Sequence, residues 1–151
     1  MDLATTDPVS AKTFYGDLFV CEAEEMPARE AGTYTMLSLE GEEVCGFYEM
    51  EAEGREGSIS PRLFSYVSVE NTDTTASRAH ELGDTVYGEA FTVLDSGQMA
   101  VVQDPTCAVL AAWKPRDHIG ADRVNDPSCL TWIELQSRDP ETAVFYAGLF
   151  S

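Results

Sequence analysis

The sequence predicts an α+β fold assembled from repeated β-α-β-β-β modules. Three observations carry the prediction. A short alternating strand running into a helix start occurs three times in 151 residues, at Leu3-Ala4-Thr5-Thr6-Asp7, Val67-Ser68-Val69-Glu70-Asn71 and Leu135-Gln136-Ser137-Arg138-Asp139. The starts lie 64 and then 68 residues apart, the span of one supersecondary unit repeated in tandem. Each is followed by a helical pattern, and the first two also by short strand-like runs bounded by turn residues.

In the first copy Asp7 is placed to N-cap a helix and Pro8 suits its first turn. Ala11, Phe14, Tyr15 and Leu18 then fall at i, i+3, i+4 and i+7, which predicts one apolar stripe turned toward the core. The second helix, over about 71 to 82, has Ala76, Ala79 and Leu82 on its inner side, with Gly83 as a stop. The third copy repeats the Asp-Pro start at Asp139-Pro140 and the Phe-Tyr pair at Phe145-Tyr146. Strands are expected at about 20 to 26, at 34 to 39 and at 44 to 49, with Gly41 turning between the last two. After the second helix they are expected at 85 to 87, 91 to 94, 99 to 102 and 108 to 113, separated by turns at Ser96-Gly97 and Asp104-Pro105.

Two nearly full modules therefore span about 1 to 60 and 62 to 116 and make one domain. Residues 51 to 61 link the modules. Residues 117 to 130, with Gly120, Pro127, Asp117 and Asp122, read as a solvated connection. Residues 131 to 151 supply one strand (Thr131 to Leu135) and one helix (Asp139 to Phe150) of an incomplete third module. The spacing suggests a truncated piece of a chain of roughly 260 residues. An unpaired third-copy strand and helix, with Phe145 and Leu149 uncovered, would favour a homodimer.

Charge narrows the function classes. Asp plus Glu number 27 against 9 Lys plus Arg, a net charge of -18. Such a chain repels phosphate backbones and anionic membrane surfaces, which argues against nucleic-acid and membrane partners. No run of 18 apolar residues is present, and MDLATTDPVS has no basic start or apolar core of a signal peptide. Cys21, Cys45, Cys107 and Cys129 form no CxxC pair and stand near no His at zinc-finger spacing. They read as reduced thiols, and the chain as cytoplasmic.

Several phrases together resemble a known family. They are W-x-E-L … D-P-x-x-A … F-Y … L-F at Trp132 to Phe150, with its copy at Asp2 to Phe19, and G-x-Y-x-M-x-x-L-x-G at Gly32 to Gly41. Y-V-x-V … A-x-E-L-G at Tyr66 to Gly83 and D-P-x-x-A … W-x-P at Asp104 to Pro115 complete the set. In this order the chain resembles the vicinal-oxygen-chelate (glyoxalase/bleomycin-resistance/dioxygenase-like) superfamily, in particular its two-domain, hydroxylase-like branch. The resemblance implies that modules pair into a cupped mixed sheet, with helices outside and a ligand within. Strand alternation then turns Phe64, Tyr66 and Ser68, and Val109, Ala111 and Trp113, into the cup, and Val67, Val69, Leu110 and Ala112 toward the helices. Two positions depart from the family pattern: Val20-Cys21 stands where Gly-Trp is usual, and Cys107 where a turn Gly is usual.

Metal-dependent members place a His or Gln on a module's first strand and a Glu on its last, holding a divalent ion that polarises vicinal oxygens. The matching positions here are Phe64 and Trp132 on first strands and Ala111 on a last strand; the first-copy position would precede Met1. None can ligate a metal. Glu49 is the remaining last-strand carboxylate, and one Glu makes no site. His80 is mid-helix and His118 is in the connection, so neither pairs with a Cys as a nucleophile couple. The expected site is an aromatic cup of Tyr34, Phe64, Tyr66 and Trp113 with Ser68 as a polar handle, suited to a flat, partly apolar small molecule. No cofactor is expected and no catalytic residue stands out. The alternative is a metal-dependent lyase, isomerase or dioxygenase whose site is completed by further sequence or another subunit.

Overall fold

The computed structural model describes residues 1–27, 32–50, 60–83 and 85–151. The chain forms two compact units, Met1–Phe64 with Gly120–Trp132, and Ser65–Ile119 with Ile133–Ser151. The stretch 51 to 59, most of the expected link between modules, lies outside the described residues.

The first unit contains β1 (Asp2–Thr5), α1 (Pro8–Phe19), β2 (Glu22–Pro27), β3 (Thr33–Leu39), β4 (Glu42–Glu49) and β5 (Arg62–Phe64). Its sheet has the order β2-β3-β4-β1-β5. β1 runs parallel to β4 and every other pairing is antiparallel, so the sheet is mixed. Glu40 and Gly41, at φ 55° and 86°, make the tight β3–β4 turn that the right-handed strand twist favours. The Asp7 side chain accepts from the Ser10 N–H at 3.0 Å, with Pro8 opening the helix as expected. Ala11, Leu37, Val44 and Phe47 form the core, with Leu3, Tyr15 and Ala23 packed against it. The acidic stretch after Gly120 is tied to this unit: the Asp122 N–H donates to the Glu43 carbonyl, and Arg123 reaches Glu40 and Asp126, each at 2.8 Å.

The second unit contains β6 (Tyr66–Ser68), α2 (Thr72–Glu81), β7 (Thr85–Val86), β8 (Phe91–Val93), β9 (Gly97–Gln103), β10 (Val109–Pro115) and α3 (Glu141–Leu149). The order is β6-β10-β9-β7, with β8 on β9 and β6 parallel to β10. Asn71 caps α2 by accepting from the Thr74 N–H. Ala76 meets Ala100 and Ala112, and Ala79 packs with Val102 and Leu110, so small side chains let the helix lie close to the sheet. α3 covers the rest of that face: Phe145 and Leu149 pack with Val102, Leu110 and Ala79.

Four expectations need correction. In α1 only Ala11 is buried; Phe14 and Leu18 are 60% and 56% exposed, so the stripe is half bare. Phe145 and Leu149, expected uncovered, are 4% and 1% exposed, because α3 finds its neighbour in α2 and its sheet. Thr131 to Leu135 form no strand, as no strand is paired with them, and Trp132 is 76% exposed. The run from Phe64 to Val69 is not one strand: Phe64 pairs antiparallel with β1 in one sheet, and Tyr66 parallel with β10 in the other.

Candidate functional site

In the first unit, the strand registers lay out the sheet face turned away from α1. One row runs Tyr34, Tyr48, Ala4, Arg62, and the next Met36, Gly46, Asp2, Phe64. The intervening residues Leu3, Leu37 and Phe47 belong to the helix-side core, which fixes the orientation. Gly46 has no Cβ because the Tyr34 ring lies across it. The Tyr34 O–H donates to Asp2 Oδ1 at 3.0 Å. Burial, together with the neighbouring Asp2 carboxylate, pushes the Tyr34 phenol far above its ordinary range, so it stays protonated and donating. Phe64 is 4% exposed, and the Arg62 guanidinium carbon sits 5.7 Å above its ring centre.

In the second unit, Trp113 repeats that arrangement. Its ring lies across Gly97 of β9, and its indole N–H donates to the His118 carbonyl at 3.1 Å. Tyr66 meets Trp113 edge to face at 6.2 Å. Ser68 lies opposite Trp113 in the β6–β10 register and is exposed. Val67, Leu110 and Ala112 sit in the helix-side core, so the alternation predicted for these strands holds.

The five predicted site residues thus fall into two groups: Tyr34 and Phe64 on one sheet, and Tyr66, Ser68 and Trp113 on the other. Each group contains a large ring laid flat over a glycine of the next strand, with its polar atom satisfied inside its own unit. Two participants were missed. Asp2 anchors Tyr34, and His118, read as a residue of a connection, stacks edge-on against Trp113 at 6.3 Å. The cross-strand pairing of a ring with a Gly was the available signal, but it needs the register to be known.

The two departures from the family pattern both prove to be left-handed positions. Val20 ends α1 at φ 58° and Cys107 turns at φ 70°. Glycine holds such a conformation without strain, whereas a β-branched residue pays for it. Asp104, 2% exposed, imposes the second turn: its Oδ1 accepts from the Thr106 N–H, the Thr106 hydroxyl and the Ala108 N–H, each at 2.8 Å.

The positions matching the superfamily's metal ligands do not fit a metal. Phe64 and Ala111 are buried side chains without a donor atom, Trp132 is exposed outside any strand, and Glu49 lies at the exposed end of β4. Among the described residues no three His, Cys, Asp or Glu side chains gather as a ligand set. The groove along α1 lined by Val9, Ser10, Thr13, Phe14, Asp17 and Leu18 is the outer surface of a single helix, remote from the ring-bearing sheet face. Among the described residues no helix is long and apolar enough to cross a membrane.

No family model matches the sequence. Putative glyoxylase CFP32 of Mycobacterium bovis is 34% identical over 151 residues, covering 99% of this chain and 58% of that protein. Anthracycline biosynthesis protein DauV of a Streptomyces species is 28% identical, covering 94% of this chain and 55% of that protein. Among solved structures, methylmalonyl-CoA epimerase from Mycobacterium tuberculosis superposes with a TM-score of 0.55 at 15% identity, over 76% of this chain and 84% of that one. Homoprotocatechuate 2,3-dioxygenase from Arthrobacter globiformis gives 0.53 at 15% identity, over 80% and 36%. The chain is similar to these glyoxylase and anthracycline-biosynthesis proteins, and it has the fold of the glyoxalase-like, vicinal-oxygen-chelate structures. Its mixed sheets and helices have the superfamily's α+β fold. The chain spans a little over half the length of the curated relatives it matches.

Proposed function

We propose that the chain is a metal-free, small-molecule-binding member of the superfamily. Its ligand is a small, partly apolar or aromatic molecule held by Tyr34, Phe64, Tyr66 and Trp113, with Ser68 as a polar contact. The observation that carries this reading is the replacement of donors by carbon at the ligand positions, Phe64 and Ala111, while the residues around them are aromatic. The acidic charge disfavours nucleic-acid and anionic-membrane partners, and a cytoplasmic location belongs to the same proposal. Modules of about 1 to 60 and 62 to 116, and a homodimer, belong to the same proposal. The naming of the relative DauV for anthracycline biosynthesis suits a flat aromatic ligand.

The test is a thermal-shift screen of neutral aromatic compounds in excess EDTA. A binder gains stability by mass action, so saturable rises in Tm are expected. No rise with any compound would overturn the reading.

A second reading keeps enzymatic chemistry: a metal-dependent lyase, isomerase or dioxygenase whose ligands come from sequence beyond this chain or from another subunit. The name glyoxylase carried by a relative of which the chain covers 58% favours it. A divalent ion bound stoichiometrically by a longer form or an oligomer, and absent from this chain alone, would support it.

A further inference from the structure

The outer side of α1 is an open apolar face. Val9, Phe14 and Leu18 are 75%, 60% and 56% exposed, and Val20, just past the helix end, is 79% exposed. Val9, Phe14 and Leu18 line a groove along the helix together with Ser10, Thr13 and Asp17. The hydroxyls in that groove are satisfied locally. The Ser10 O–H donates to Asp7 Oδ2 at 2.7 Å, and the Thr13 O–H to the Val9 carbonyl at 3.2 Å. Both residues therefore present carbon surface that costs little to bury. Lys12 is drawn aside by Glu25 at 2.8 Å. Lys12 and Asp17 are the only charged residues of the helix, so α1 is neutral in a chain of net charge -18. An apolar patch of this kind on so acidic a protein marks a contact surface.

We propose that this face docks a second copy of the chain through its own α1, the two helices crossing antiparallel near Thr13 and Phe14. Charge, shape and availability select that occupant. Two copies repel each other over most of their surface, and the neutral helix is where they can approach. An antiparallel crossing at that point leaves the two Asp17 carboxylates roughly 10 Å apart along the axis, about one Debye length. The large Val9, Phe14 and Leu18 and the small Ser10 and Thr13 share one face, so ridges and grooves of the same helix can interdigitate, as a two-fold contact requires. The positions that repeat Phe14 and Leu18 in the sequence, Phe145 and Leu149, are buried because α3 leans on α2, with Leu82 against Gly148. Among the described helices, α1 is therefore the one whose Phe and Leu remain open to another helix. Four side chains exposed to this extent offer roughly 500 Å² per copy, or about 1,000 Å² in a dimer, the low end for a specific contact. The dimer is accordingly weak and reversible, and the face is open at low micromolar concentration.

The inference rests on the homodimer of the reading above and names its surface. Sedimentation equilibrium of the whole chain from about 5 to about 500 µM tests it. A reversible monomer–dimer equilibrium is expected. It should tighten several-fold as NaCl rises from about 50 to about 500 mM, because salt screens the repulsion between the two acidic copies and leaves apolar burial intact. Phe14→Asp and Leu18→Asp should each weaken the dimer by about tenfold or more, with unchanged far-UV circular dichroism because both side chains are exposed in the monomer. Ile119→Asp, at a comparably exposed site away from α1, should leave the dimer intact. Monomer at every concentration and salt overturns both the face and the homodimer, and leaves the ligand reading standing. A dimer that both aspartate variants keep, or that salt dissociates, overturns the α1 face alone. The salt response is read on the unaltered protein, so it decides the matter even if a variant fails to fold.

Discussion

α1 and α3 begin alike and end differently. Both follow an Asp-Pro start, and both carry a Phe-Tyr pair with Leu and Phe three and four residues beyond the Tyr. Their internal ring geometry is nearly the same: Phe14 meets Tyr15 edge-on at 5.0 Å and Phe145 meets Tyr146 at 5.1 Å, while the Tyr15–Phe19 and Tyr146–Phe150 pairs stack at 6.2 and 6.3 Å. Yet Phe145 and Leu149 are buried whereas Phe14 and Leu18 are exposed. The local ladder follows from helical spacing, which both segments share. Burial follows from what the helix leans on. α3 lies against α2, where Leu82 approaches Gly148 closely enough that a Cβ there would meet it at 3.4 Å; α1 has Asp17 at that position.

The comparison can be broken by mutation. Phe145→Ala should cost about 3–5 kcal/mol in urea unfolding, and Phe14→Ala within about 0.5 kcal/mol. Equal costs would mean that the α1 stripe is covered in solution. Tyr146 also donates to the buried Asp104 carboxylate at 3.0 Å, so Tyr146→Phe should cost about 1–3 kcal/mol, more than Tyr15→Phe. The ends of the elements sharpen the picture. Val20→Gly and Cys107→Gly relieve a left-handed residue and should each raise stability by about 1 kcal/mol, read as a higher denaturation midpoint. The smallest effect is on pH. Hydrogen bonds from Ser10 hold the Asp7 carboxyl below its ordinary value, so the cap's contribution is present above the unfolded value near 4 and is lost as the pH falls through the lowered one. Helical circular dichroism should therefore lose less on acidification in Asp7→Asn, which caps without a charge.

Much of the fold was legible because its signals are local. The cap at Asp7, the Gly41 turn, the Ala76 and Ala79 face and the alternation of β6 and β10 all follow from neighbours within a few residues. The burial of Phe145 depends on Val102 and Leu110, which are far away in sequence. The failed strand at Thr131 to Leu135 has strand composition but no partner, and composition cannot report a partner. The aromatic site residues were found by alternation, whereas Asp2 and Arg62 emerged only from register, since a residue's cross-strand neighbour is not written in its own segment, and His118 only from its contact with Trp113.

The central proposal is that the chain holds a small-molecule ligand without a metal. The most direct measurement is calorimetric titration of EDTA-stripped protein with Zn²⁺, Ni²⁺, Mn²⁺ and Fe²⁺, followed by titration of an aromatic probe before and after metal addition. The account predicts no saturable, stoichiometric ion and unchanged probe affinity. A one-to-one divalent ion whose removal by EDTA abolishes probe binding would contradict it.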